Sequence, residues 1–104
     1  PRYEWKVDKA GTLTVRAKDK PEEVRLWQAT NPDARDFRID KLGPKWISQK
    51  LTADPNGLYT ARPADPPKGW TAYMIELTFP GKLRPQKFTT GVVVTPRRMP
   101  FPTN

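Results

Sequence analysis

A chain of 104 residues that is 36% hydrophobic, with four Trp, four Phe and three Tyr, carries one domain's worth of apolar side chains and can close a thin core without staples. It has no histidine, no cysteine and a single serine, Ser48, which removes the Ser–His and Cys–His nucleophile pairs and the imidazole and thiolate metal ligands. Thirteen prolines disfavour long helices, and the net charge of +8 would suit a polyanionic partner.

In chain order, Tyr3–Val7 is the first strand candidate. Thr12–Lys18 follows, with Leu13, Val15 and Ala17 on one face and Thr12, Thr14, Arg16 and Lys18 on the other, the pattern of a sheet wet on one side. After a turn at Pro21, Glu23–Thr30 sets Val24 and Leu26 against Arg25, Trp27 and Ala29, and Asn31-Pro32-Asp33 breaks it. Asp36–Ile39 reads as a short or edge strand, and Lys45–Leu51 carries Trp46 between charges. Asp54-Pro55-Asn56-Gly57 has the residues of a type I turn, predicting a hairpin between Trp46–Leu51 and Leu58–Arg62.

Pro63–Gly69, with three prolines, predicts a loop crossing between sheets. Gly69–Phe79 is the longest strand, with Tyr73, Ile75, Leu77 and Phe79 inward and Ala72, Met74, Glu76 and Thr78 opposite. Pro80-Gly81 ends it, and Phe88–Thr95 closes the fold. Residues 1–96 are expected to form a single domain and 97–104 a Pro-rich extended tail. About seven short strands without helical periodicity point to an all-β sandwich of immunoglobulin or fibronectin type III kind, with Trp27 in the place of the buried sandwich tryptophan.

The charge is spread rather than blocked: residues 1–50 hold 12 basic and 8 acidic groups and residues 51–104 hold 7 and 3, leaving +4 in each half. That makes nucleic acid an unlikely partner and a solvating surface the expectation. No apolar run is long enough for a membrane-spanning helix, and the start at Pro1, without a signal-like segment, reads as an excised piece of a longer protein.

Few groups invite chemistry. Ser48 has neither the glycine flanks of a nucleophile elbow nor a histidine to take its proton, leaving a strand-surface serine or a Ser–Lys pair. Asp33, Asp36 and Asp40 could mimic a calcium loop, but Arg35, Arg38 and Lys41 interleave them, so local ion pairs are expected and no metal or cofactor is assigned. Glu76 reads as a solvent-facing strand residue, and Glu22-Glu23 cannot act as a glycosidase pair because adjacent strand residues face opposite ways. Of Trp5, Trp27, Trp46 and Trp70, the candidates for a binding or interdomain surface are Trp46 beside Lys45 and Trp70 beside Lys68-Gly69, with Arg35 and Arg38 as further candidates.

The blocks Val24-Arg25-Leu26-Trp27-Gln28-Ala29, Ala34-Arg35-Asp36-Phe37-Arg38, Gly69-Trp70-Thr71-Ala72-Tyr73 and Phe88-Thr89-Thr90 resemble the C-terminal portion of the PhoPQ-activated pathogenicity-related protein family. The resemblance spans most of residues 5–96. It implies an α/β-hydrolase-like domain upstream, holding any catalytic residues, with this β-sandwich as its appendage in an exported (periplasmic or extracellular) protein. Beside it, the residues themselves suggest that Phe37 enters the core, Arg35 and Arg38 pair with nearby acids, and Gly69 lets the loop turn into the strand. The expected function is therefore a non-catalytic accessory domain that packs on the upstream domain or contacts a partner. The alternative is a module binding an acidic glycan or other polyanion.

Overall fold

The computed structural model describes residues 1–33, 37 and 45–96. Among these residues there are eight strands and no helix: β1 (Tyr3–Val7), β2 (Leu13–Ala17), β3 (Glu23–Asn31), β4 (Ile47–Lys50), β5 (Leu58–Ala61), β6 (Trp70–Phe79), β7 (Gln86–Thr89) and β8 (Val93–Thr95). They form two antiparallel sheets, one in the order β1-β2-β5 and the other β4-β3-β6-β7, with β8 also on β6.

Alternation decides which side chains meet between the sheets. Leu13 and Val15 of β2, Val24 and Leu26 of β3, and Tyr73, Ile75, Leu77 and Phe79 of β6 are all buried, joined by Ala61 and Val93. Every inward residue expected on β6 is in this core. Tyr3, Phe79 and Phe88 close one end, with ring centroids 5.9 to 6.2 Å apart, within the range of favourable aromatic pairs. The Tyr73 hydroxyl crosses between sheets and donates to the Gly11 carbonyl in the β1–β2 turn.

That turn is held by Asp8, whose Oδ1 accepts from the backbone N–H groups of Ala10 and Thr12, both at 2.9 Å. The Thr12 amide above all, with the Ala10 and Gly11 amides and the Arg62 charge, holds the Asp8 carboxyl below the usual aspartate range. Near the start of β1, Asp19 is likewise lowered, first by the Arg2 guanidinium and then by the Arg2 amide. The two side chains form an ion pair at 3.2 Å.

The Asp54–Gly57 turn forms as its residues demand: Gly57 N–H donates to the Asp54 carbonyl at 2.9 Å, and Asp54 Oδ1 accepts from Asn56 and Leu58. The predicted hairpin does not. β4 pairs with β3 and β5 with β2, so the turn carries the chain from one sheet to the other. The Leu51 N–H donates to the Val24 carbonyl at 2.8 Å, keeping the chain on β3 for one residue beyond β4 before the crossing.

The last predicted strand is also divided. Glu76 faces Thr89 and Tyr73 faces Val93, so two residues of β6 oppose Thr90, Gly91 and Val92, the extra residue of a β-bulge. Thr90 secures the bulge by donating its N–H to the Ile75 carbonyl and accepting from the Ile75 N–H through Oγ1 at 3.1 Å. The short strand expected at Asp36–Ile39 and the tail 97–104 lie outside the described residues, Phe37 excepted.

Candidate functional site

Residues of β3 and β6 that alternate with the core set point away from it, onto the outer face of the five-stranded sheet. In register these are Glu23 with Thr78, Arg25 with Glu76, Trp27 with Met74, Ala29 with Ala72, and Asn31 with Trp70. Trp27 is thus not the core tryptophan. It is half-buried on the outer face, where Nε1 donates to Glu76 Oε1 at 3.2 Å, because the same alternation that sends Val24 and Leu26 inward sends Trp27 outward.

This face is unusually apolar at its centre. Ala29 and Ala72 are 3% and 0% exposed although neither faces the opposite sheet. Neighbouring outward positions are large: Trp27 and Met74 on one side, Trp70 beyond Ala72 on the other, all half-buried. Trp46, just before β4, is half-buried too and meets Phe37 edge-on at 6.4 Å. Phe37 therefore does not enter the core between the sheets. Among the described residues the Trp46 Nε1–H is buried without a hydrogen-bond partner.

The polar end of the same face is closed by local pairs. Arg25 donates to Ser48 Oγ at 3.1 Å and pairs with Glu23 at 3.3 Å, while Lys50 approaches Glu23 at 3.9 Å. Ser48 is thus a strand serine facing a guanidinium, a group that cannot accept its proton. Glu76, expected to face solvent, is half-buried and engaged by Trp27.

Of the predicted binding residues, the structure places Trp46 and Trp70 half-buried rather than on an open aromatic groove, and Lys45 exposed beside Trp46. Lys68 is exposed and lies 3.8 Å from Asp33, an ion pair that ties the loop before β6 to the end of β3. Between Lys68 and Trp70, Gly69 has φ +81°, and a Cβ there would stand 2.2 Å from the Asn31 carbonyl oxygen. The backbone of the two loops touches at that point, which is the turning role expected of Gly69. Arg35 and Arg38, with Asp36 and Asp40, lie outside the described residues. Among the described residues no group of three or more carboxylates is placed to hold a metal ion, and no helix is long and apolar enough to cross a membrane.

Sequence reasoning passed over Trp5. Its register with Val15 predicts an inward side chain, yet it is 43% exposed, because β1 is the edge of its sheet and the indole comes to rest against Gly91 in the bulge of the opposite sheet. The other face of the three-stranded sheet carries a groove of about 300 Å³ lined by Glu4, Lys6, Thr14, Arg16 and Leu58, and Trp5, whose indole lies on the opposite side of β1, stands at its border. The nearest hint in the sequence is that Trp5 stands between two charged residues, Glu4 and Lys6.

No curated protein and no solved structure matches the chain. The segment from β1 through β3 and on to residue 38 matches the family model described as PhoPQ-activated pathogenicity-related protein. That match takes in the Val24–Ala29 and Ala34–Arg38 blocks, whereas Gly69–Tyr73 and Phe88–Thr90 fall beyond it. Over residues 1–38 the chain is therefore similar to the PhoPQ-activated pathogenicity-related protein family, the one that its sequence blocks resemble.

Proposed function

We propose that this chain is a non-catalytic accessory β-sandwich of a larger exported, α/β-hydrolase-like protein, and that it packs on or orients the hydrolase-like domain. The sandwich is of immunoglobulin or fibronectin type III kind. Its strand order supports this: the first, second and fifth strands share one sheet, and the third, sixth and seventh share the other with β4 added beside β3. The family match over residues 1–38 supports the association with such a protein.

The observation that carries the packing role is the outer face of the five-stranded sheet. An antiparallel sheet with one face on the core ordinarily turns polar residues to water on the other. Here the large side chains Trp27, Met74 and Trp70 stand on that second face, and the part of each that stays uncovered is apolar surface suited to contact with another domain. The rival reading, an acidic-glycan module on Trp46 and Trp70, needs free basic groups beside the indoles, and of its two lysines Lys68 lies 3.8 Å from Asp33.

The test is to produce the hydrolase-like portion of a family member and this chain as separate polypeptides and to follow their association by analytical ultracentrifugation. A complex that survives high salt and is lost on Trp70→Asp supports the proposal, because apolar contact is insensitive to screening. Absence of a complex, or one that salt dissolves, refutes it.

A further inference from the structure

β1 ends the three-stranded sheet, and among the described residues no strand lies on its far side. At five residues it is longer than β4, β5, β7 or β8, the other strands at sheet margins. The backbone bonds at the two ends of its pairing with β2 settle which residues face the open side. Lys18 N–H donates to the Arg2 carbonyl at 2.9 Å and Asp8 N–H to the Thr12 carbonyl at 3.1 Å, in step with the register from Tyr3–Ala17 to Val7–Leu13. Hydrogen-bonded pairs alternate along an antiparallel ladder, so Glu4 and Lys6 turn their backbone groups to β2, whereas Tyr3, Trp5 and Val7 turn theirs outward. An edge of that kind is a template for another strand.

The charges on this edge select the strand that fits it. Counting outward from Trp5, the outer-face residues carry opposite charges at equal distances: Glu4 against Lys6, then Arg2 against Asp8. Two copies running antiparallel about a twofold axis at Trp5 therefore set Glu4 of each opposite Lys6 of the other, with Arg2 opposite Asp8 just beyond. In the same register Trp5 meets Trp5 and Tyr3 meets Val7, each pair exchanging two N–H···O bonds through the groups already turned outward.

A slip of two residues one way puts Glu4 opposite Glu4 and Lys6 opposite Arg2. A slip the other way puts Lys6 opposite Lys6 and Glu4 opposite Asp8. Every charged pair then becomes repulsive, so charges that ordinarily blunt an edge here admit one register. A strand of unrelated sequence has no reason to match that pattern. The Trp5 indole, 43% exposed although it rests against Gly91 on the inner side, loses further water when the edge is covered. We propose that the chain forms a twofold homodimer through β1, which joins the two three-stranded sheets into one continuous sheet in the order β5-β2-β1-β1-β2-β5. The pairing leaves the outer face of the five-stranded sheet uncovered.

The experiment is sedimentation equilibrium of the full chain from about 10 µM to about 1 mM in about 0.15 M salt, with amide hydrogen exchange measured at both ends of that range. A monomer–dimer equilibrium with a Kd of about 0.1 mM is expected, with exchange at Tyr3, Trp5 and Val7 slowed at the higher concentration. Glu4→Lys and Lys6→Glu each place like charges across the axis and are expected to weaken the dimer at least about tenfold. Mixed in equal amounts, the two variants bring opposite charges together at both crossings, and their association is expected to return to within about twofold of the unaltered chain. Misfolded variants could not recover in this way. The proposal is overturned by a monomer at every concentration, which would leave the edge to a strand of some other protein, or by slowed amides on β4 or β7 in place of β1. Single variants that dimerise as the unaltered chain does, or a mixture no more associated than its components, overturn it equally.

Discussion

Replacing Gly69 by alanine separates two costs that the structure assigns to different glycines. Gly57 and Gly69 have nearly the same left-handed backbone, φ +79° and +81°, but a Cβ at Gly57 meets nothing within 4 Å while one at Gly69 meets Asn31 O at 2.2 Å and Pro32 Cα at 2.4 Å. Both substitutions carry the conformational penalty of an L-residue with positive φ, about 1 kcal/mol. Only Gly69→Ala also drives a methyl into backbone that has no side-chain rotation to yield, adding about 1–3 kcal/mol by analogy with overpacking. We therefore expect a loss of about 1 kcal/mol for Gly57→Ala and about 2–4 kcal/mol for Gly69→Ala. In a domain of this size each kcal/mol moves Tm by about 4–8 °C, so urea titration and a thermal melt both resolve the difference. Equal losses in the two variants would refute the claim that the β3–β4 and β5–β6 loops touch at Gly69.

Trp27→Ala should cost about 1–2 kcal/mol, below the 2–5 kcal/mol or so expected for Ile75→Ala, since Trp27 is half-buried on an outer face and Ile75 lies between the sheets; denaturant melts that reverse this order would return Trp27 to the core. Tyr73→Phe leaves the buried Gly11 carbonyl without its donor and should cost about 1–3 kcal/mol at almost constant side-chain volume; a neutral result would show that the two sheets are not linked there. Asp8 and Asp19 have folded-state pKa values below their ordinary ones, so the stability they contribute is fully present above the ordinary aspartate range and is lost as the pH falls through the depressed folded values. Asp8→Asn should accordingly flatten the acid limb of a stability–pH curve while leaving its alkaline limb in place, and an unchanged acid limb would count against the Asp8 turn. Any ester hydrolysis by a preparation of this chain should be unaffected by Ser48→Ala, because the hydroxyl faces Arg25 and not a base; loss of activity in that variant would revive catalysis at Ser48.

Much of the fold was legible because strand formation is largely a local matter. Alternation in Leu13–Ala17 and Trp70–Phe79 names the inward residues, and Asp54-Pro55-Asn56-Gly57 names a turn, whatever the rest of the chain does. The candidate sites were less legible. Of the residues proposed for binding, Trp46 and Trp70 proved half-buried and Lys68 paired, while Trp5, the most exposed of the described tryptophans, gave only the weak signal of two charged neighbours.

By itself the sequence determined an all-β chain, the β1 limits at Tyr3–Val7, the core face of β6 and the need for glycine before Trp70. Tertiary structure alone decided which strands pair. A tight turn brings two strands close, but the β4 backbone satisfies its hydrogen bonds on β3 and β5 satisfies its own on β2, so the chain crosses between sheets where a hairpin was expected. It also decided exposure, because parity states which face a side chain takes and not what lies beyond it. Trp27 takes the outer face and is half covered; Trp5 takes the inner face and is left open, because its strand is an edge and a bulge at Gly91 meets it there.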